Sequence, residues 1–253
     1  MILGNKRIHH LSPLALLALT ACGGGGGGGS SSSSSSSSSS ASYSIIGKVI
    51  KGPLTNALFF LDYNDNGTFD AGETSIRTAS DGSYSLSSSQ ASVSIVALTD
   101  DTTIDTSSGS VLTGITLRAP SGASVISPNT TLMKEAGLTA AEVGEVLGLS
   151  ADIDITTFNP YAAGVDAADA LAVEKVSQQI MATISTFAAA TEGSGASAAD
   201  AFSTALASVV DVVQQKSVAF KADSTVTLDF ASSTDLASIQ STVTTKAATV
   251  SGV

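Results

Sequence analysis

The chain has 253 residues, a formal net charge of −11 and a sequence pI of about 4.3. That balance excludes nucleic acid as a partner, because phosphate binding needs a basic face. Both histidines, His9 and His10, lie at the amino terminus; tryptophan is absent and Cys22 is the single cysteine.

The amino terminus opens with Lys6 and Arg7, followed by an apolar run from Leu11 to Leu19 interrupted only by Ser12 and Pro13. Small residues and Cys22 follow. This is the layout of a secretory signal peptide, and the run is too short for the ~20 apolar residues of a transmembrane helix. Leu19-Thr20-Ala21-Cys22 resembles the lipobox of bacterial lipoproteins. The resemblance implies cleavage before Cys22 and lipid on its thiol. Gly23 in place of aspartate resembles the outer-membrane sorting pattern of Gram-negative hosts, so the expected location is the outer membrane, facing the periplasm or the cell surface. Residues 1–21 are then the signal peptide, and 22–43 are the lipidated cysteine and a tether. Gly23–Gly29 is unbroken glycine and Ser30–Ser40 unbroken serine, a flexible coil whose ~20 residues reach roughly 25 Å.

Cleavage at that point removes both histidines and takes the net charge to −13, since Lys6 and Arg7 leave with them. A chain without histidine has no Ser-His-Asp or Cys-His catalysis and none of the usual zinc sites. Carboxylate catalysis of the glycosidase kind stays open. Eight phenylalanines and four tyrosines are few for a sugar-lined cleft.

Residues 44–127 read as strands and turns. Ile45–Ile50 is a strand, Lys51-Gly52-Pro53-Leu54 a turn, and Ala57–Leu61 a second strand. Asp81-Gly82 signals a hairpin within Thr78–Ser87. Ser92–Thr99 puts Val93, Ile95 and Ala97 on one face and Val96 and Leu98 on the other, and Gly109–Leu117 supplies one more strand. Short strands at this spacing predict an antiparallel β-sandwich of prealbumin or immunoglobulin type. The order Gly-x-Val, Gly-Pro-Leu, apolar strand, loop, then Asp81-Gly-Ser-Tyr-Ser-Leu86 resembles the SdrD-B-like and carboxypeptidase-regulatory-like modules of bacterial surface proteins, over about 80 residues.

The loop within this region carries the strongest chemical signal. It reads Asp62-Tyr-Asn64-Asp-Asn66-Gly67-Thr68-Phe-Asp70-Ala-Gly-Glu73. Oxygen side chains fall at positions 1, 3, 5, 9 and 12, a glycine at 6, and Thr68 can offer its backbone carbonyl at 7. Calcium takes six to eight oxygen ligands, and a 12-residue loop wraps them around one ion only by turning sharply at glycine. The candidate metal ligands are therefore Asp62, Asn64, Asn66, Thr68, Asp70 and Glu73, with calcium in a structural role. The flanks read as strands, unlike a helix-flanked sensor, and match the calcium loops that SdrD-B-like modules carry between strands. Asp100, Asp101 and Asp105 form a second acidic group, read as a solvated turn rather than further ligands.

Residues 128–253 read as helical. Arg118–Pro128, with Pro120, Gly122 and Pro128, is the expected connector. Thr139-Ala-Ala-Glu142 is a capping box and Gly148 a helix end. Val173, Val176, Ile180, Ile184 and Phe187 stripe a long helix over 168–190. Ser197 starts another, with Phe202, Leu206, Val209 and Val213 on one face. Ser233-Thr234-Asp235 caps a last one bearing Leu236, Ile239, Val243 and Val250. Four such helices predict a small bundle, so the fold class is α+β in two regions. Ile126-Ser-Pro-Asn-Thr-Thr-Leu132, Gly148-Leu149 and Thr156–Pro160 resemble a helical region that follows such β-modules in large bacterial surface proteins.

These readings predict a non-enzymatic surface lipoprotein: an adhesion, scaffold or binding module stiffened by calcium, held to the membrane by lipid and facing an extracellular or periplasmic protein or glycan. The alternative is an accessory protein of carbohydrate processing that works through carboxylates, which an acidic pair facing a cleft would favour.

Overall fold

A computed structural model describes residues 42–250. The signal peptide, Cys22, the Gly/Ser tract and the side chain of Val250 lie outside the described residues.

The first strands follow the alternation of the sequence: β1 (Tyr43–Val49), β2 (Leu54–Thr55), β3 (Leu58–Asp62), β4 (Ser75–Arg77), β5 (Ser83–Ser88) and β6 (Ser94–Leu98). Then come β7 (Ile104–Asp105), β8 (Ser110–Val111), β9 (Thr116–Ala119) and β10 (Val125–Ile126). Five helices complete the described residues: α1 (Pro128–Ala136), α2 (Ala140–Val146), α3 (Ala167–Glu192), α4 (Ala198–Ala222) and α5 (Ser233–Val250). The class is mixed, strands first and helices after.

The strands form three small sheets, ordered β10-β1-β5, β2-β7-β8 and β4-β3-β6-β9. All pairings are antiparallel except β1 with β10. One apolar core joins the first and last sheets: Val49 and Tyr84 meet Phe59, Leu61, Ile95, Ala97, Leu117 and Ala119. Phe59 and Tyr84 stack with ring centroids 3.8 Å apart. The predicted face of Val93, Ile95 and Ala97 is the one in this core, and Val96 on the other face is buried as well. Strand β3 is thus covered on both sides, and Phe59 through Asp62 are all buried.

Some strand expectations change. The single strand expected over Gly109–Leu117 is two, β8 and β9. The Asp81-Gly82 turn exists, with Gly82 at φ 77° and its N–H bonded to the Ala79 carbonyl. It does not join a hairpin, because β4 pairs with β3 and β5 with β1. The same turn chemistry serves here as a corner between sheets, since Gly82 also passes its carbonyl to the Val49 N–H. The expected connector, Arg118–Pro128, carries strand residues: Arg118 and Ala119 end β9, and Val125 and Ile126 pair with Lys48 and Val49 as β10.

The helix caps follow local chemistry. Thr139 and Glu142 form the reciprocal box at α2, Asp166 accepts from Ala168 and Asp169 at α3, and Ser197 caps α4. Gly148 takes φ 68° just past α2. At α5 the cap is Ser232, one residue before the expected group, its hydroxyl accepting from the Asp235 N–H. Asp235 is buried and bound instead to Lys216 and the Asp229 N–H.

Helix α1 carries Ser127 as cap with Thr130 returning the bond, and Pro128 at its start. Its face is polar yet buried: Asn129, Thr130 and Thr131 are each at most 3% exposed. The Arg118 N–H bonds to the Thr131 hydroxyl at 2.9 Å, which itself donates to the Ser127 carbonyl at 2.7 Å. Helix α1 therefore covers the open edge of β9, the usual way to blunt a sheet edge.

In the helical core Val173, Ile180, Ile184, Val209, Val213, Ile239 and Val243 are buried as the stripes predict. On α4 the buried face is centred on Ala201, Ala205, Ser208 and Val212, and Phe202 and Leu206 lie at its flank. Small side chains let α4 sit close to its neighbours, which pushes the larger ones aside. Phe202 packs against both cores, and Met181 of α3 belongs to the strand core. The described residues, 42–250, accordingly form one compact unit.

Candidate metal loop and adjoining cleft

The end of β3 delivers Asp62 into the loop. Its side chain is fully buried, and it organises the turn: Oδ1 accepts the Asn66 N–H at 3.1 Å and Oδ2 the Gly67 N–H at 2.7 Å. Asp65 and Gly67 take φ of 60° and 74°. A Cβ at 67 would also stand 3.3 Å from the Arg118 guanidinium, which would have to shift by a few tenths of an ångström. At the far end Glu73 spans the loop, Oε1 accepting from the Tyr63 N–H and Oε2 from the Asp70 N–H, each at 3.0 Å.

The remaining expected ligands gather around Asp70. Its Oδ2 accepts from the Nδ2 of Asn64 at 2.9 Å and of Asn66 at 2.8 Å. These amides, Asn64 first, hold the Asp70 carboxyl below the usual carboxylate range. Asn66 Oδ1 takes the Thr68 N–H. Asp62, Asp70 and Glu73 thus each serve a different part of the loop. Among the described residues no group of three or more His, Cys, Asp or Glu side chains stands together as a metal site.

Sequence reading missed the cations. Arg118, on β9, reaches Asp62 Oδ2 at 3.3 Å, Asp65 Oδ1 at 3.0 Å and the Asp65 carbonyl at 3.1 Å with Nη2, while Nη1 reaches Glu135 on α1 at 2.8 Å. Lys134 on α1 binds Asp65 Oδ2 at 2.7 Å. Burial opposes the charge of Asp65, but the Lys134 ammonium and its other partners outweigh that and keep its carboxyl below the ordinary value. The register places these groups: Arg118 lies opposite Val96, Val96 opposite Phe60, and Asp62 two residues further on the same face.

The loop also walls a cleft of about 640 Å³, shared by Asn66, Thr68, Arg118, Glu135, Phe202 and Gln214. Its carboxylates, Glu135 and Asp211, are each held by a cation, Arg118 at 2.8 Å and Lys246 at 2.9 Å.

The second acidic group is only in part the solvated turn expected. Asp101 is exposed, but Asp105 is buried, 3.1 Å from Lys51, and accepts from Ser107. Asp100 binds Arg77 and Thr102, and the Thr102 hydroxyl leads the contacts that pull its carboxyl down to about 2. Glu142 is also pulled down to about 2, by Lys221 first and then by the Thr139 backbone and hydroxyl. Both folded values lie below the ordinary 3.8 and 4.5, so their stabilisation is present above about pH 4.5 and is lost as pH falls towards 2. Glu142→Gln is expected to melt below the wild type at pH 7, with the gap closing by pH 2 in a series of thermal melts. A gap independent of pH would show that the charge of Glu142 contributes nothing.

No protein-family model, no curated protein and no solved structure matches this chain.

Proposed function

We propose that this chain is a non-enzymatic surface lipoprotein, anchored in the outer membrane through Cys22, whose folded part is an adhesion, scaffold or binding module with a structural calcium ion in the Asp62–Glu73 loop. The observation that carries this reading is the way the loop is built into the fold. Asp62 is buried at its start, Glu73 ties its two ends, and Arg118 and Lys134 fasten it to β9 and α1. Such a loop orders structure rather than reports on a signal. The donor set is all oxygen, as calcium prefers; Asp62, Asn64, Asn66, Asp70 and Glu73 would hold the ion with the Thr68 carbonyl. The ion would supply charge neutralisation where carboxylates outnumber lysine and arginine.

The finer architecture belongs to the same reading. Phe59 stacked on Tyr84 across two sheets with a common core supports a β-sandwich of prealbumin or immunoglobulin type, and α1–α5 support a small helical bundle beside it. The partner is an extracellular or periplasmic protein or glycan.

Thermal melts in calcium and in chelator test the ion. A hundredfold excess over Kd stabilises by about 2.7 kcal/mol, and coincident curves would remove calcium from the reading. Fractionation of Cys22→Ser tests the anchor. The variant is expected to be uncleaved or soluble, because a lipid pair is what anchors stably; processed protein still in the membrane fraction would place the anchor elsewhere.

A further inference from the structure

Arg118 is engaged in a way that the calcium reading does not use. Its side chain is 14% exposed, and its charge faces Asp62, Asp65 and Glu135 at once. Its Nε lies buried without a hydrogen-bond partner, so the guanidinium is held by its two Nη atoms alone. On the other side, Asp62 Oδ2 already accepts from the Gly67 N–H and from Arg118 Nη2. A carboxylate oxygen offers two lone pairs, so both of those on Oδ2 are used. An ion that takes Oδ2 competes with its two donors, of which Arg118 at 3.3 Å is the longer bond and Gly67 at 2.7 Å the shorter, and one that takes Oδ1 sits with a guanidinium beside it.

We infer that Arg118 is the resident counter-ion of the loop: it holds Asp62 and Asp65 when no metal is present, and calcium binds in competition with it. This rests on the calcium reading of the same loop and adds its regulation. Because Arg118 also grips Glu135, and Lys134 grips Asp65, displacing the guanidinium changes the tie between loop and α1. Metal occupancy is thereby coupled to the cleft that Arg118, Glu135 and the loop share. The charges allow it. Among the described residues Arg118 and Lys134 pair with Asp62, Asp65 and Glu135, while Asp70 and Glu73 meet only amides, so the neighbourhood keeps enough negative charge to accept a divalent ion after Arg118 is counted.

The test is a calorimetric calcium titration of the full chain and its Arg118→Gln variant, both started from chelator. Glutamine keeps a hydrogen-bonding head and removes the charge. Arg118→Gln is expected to bind calcium about tenfold more tightly, within the usual range of coupling between sites. In chelator, amide exchange at Asn66 and Gly67 is expected to be slow in the wild type and fast in the variant, with calcium restoring protection. If the wild type binds calcium and the variant binds no more tightly, Arg118 is not a competitor and the calcium site stands. If neither binds, both readings fall. Binding by the variant alone supports the competition and shows that the wild-type loop relies on Arg118. Should the variant not fold, the wild type still decides: the Arg118 Nε–H resonance is expected to shift with the same calcium midpoint as the Gly67 amide. A resonance unmoved by bound calcium overturns the inference.

Discussion

Asp62→Ala will destabilise the folded part by about 3 kcal/mol in chelator, and by more in calcium, where a ligand is lost as well. The carboxylate is fully buried and is the acceptor for two loop N–H groups and for Arg118. Alanine leaves those donors facing a void. Breaking a buried pair by removing one partner costs more than the pair contributes, because the remaining charge is left in a poorly solvated place. Asp65 and Glu135 still contact Arg118, which keeps the loss at the lower end of the range for such deletions. Asp70→Ala is the internal control. Asp70 is only half-buried and accepts just two side-chain amides, so in chelator the variant's urea midpoint should stay close to that of the wild type. Urea unfolding of the three proteins measures both. An Asp62→Ala midpoint equal to that of Asp70→Ala would mean that the buried carboxylate does not organise the loop.

The two carboxylates differ in legibility. All six loop positions could be found by counting, because a 12-residue loop is local. That Asp62 is buried and Asp70 is not depends on β3 lying inside its sheet, between β4 and β6, with both faces covered. Arg118 lies 56 residues from Asp62 and became a neighbour only through the β3-β6-β9 order. No spacing rule reaches so far. The caps tell the same story from the other side. Thr139 with Glu142, and Ser197, were readable because a cap and its partner sit within one turn. Helix α1 was harder to read, since its buried face is Asn129, Thr130 and Thr131 and apolar periodicity does not see a polar face. On α4 Val209 and Val213 of the stripe are buried, while Phe202 and Leu206 lie at the flank of a face completed by Ala201, Ala205 and Ser208, small residues that apolar periodicity does not single out. The Asp81-Gly82 turn was legible as a turn, whereas which strands it joins is a property of the whole sheet.

Gly47→Ala carries the second large effect, and it reads the packing of the two sheets directly. Gly47 is mid-strand in β1, opposite Tyr84 of β5. A Cβ at that position would overlap the Ser124 carbonyl and the Tyr84 ring and hydroxyl. Neither neighbour can retreat. The Ser124 carbonyl holds the Lys48 N–H at 2.9 Å while its own N–H is bound to Thr156. Tyr84 is 3% exposed and stacked on Phe59 at an interplanar angle of 12°. One methyl group should therefore cost about 3 kcal/mol, the upper end for overpacking. Tyr84→Phe should act in the opposite direction. Its hydroxyl is buried without a partner, and burial alone pushes its pKa up. Removing a buried hydroxyl that makes no hydrogen bond recovers about 1 kcal/mol of desolvation. The two changes should couple, because the hydroxyl is one of the atoms the new methyl meets. The double variant is expected to be more stable than the sum of the single effects predicts, though still below the wild type, since the Ser124 carbonyl remains in the way. Urea unfolding of the four proteins closes the cycle. Additivity within about 0.5 kcal/mol would mean that Gly47 and Tyr84 do not share the space assigned to them, and that the close approach of β1 to the Phe59–Tyr84 stack is wrong.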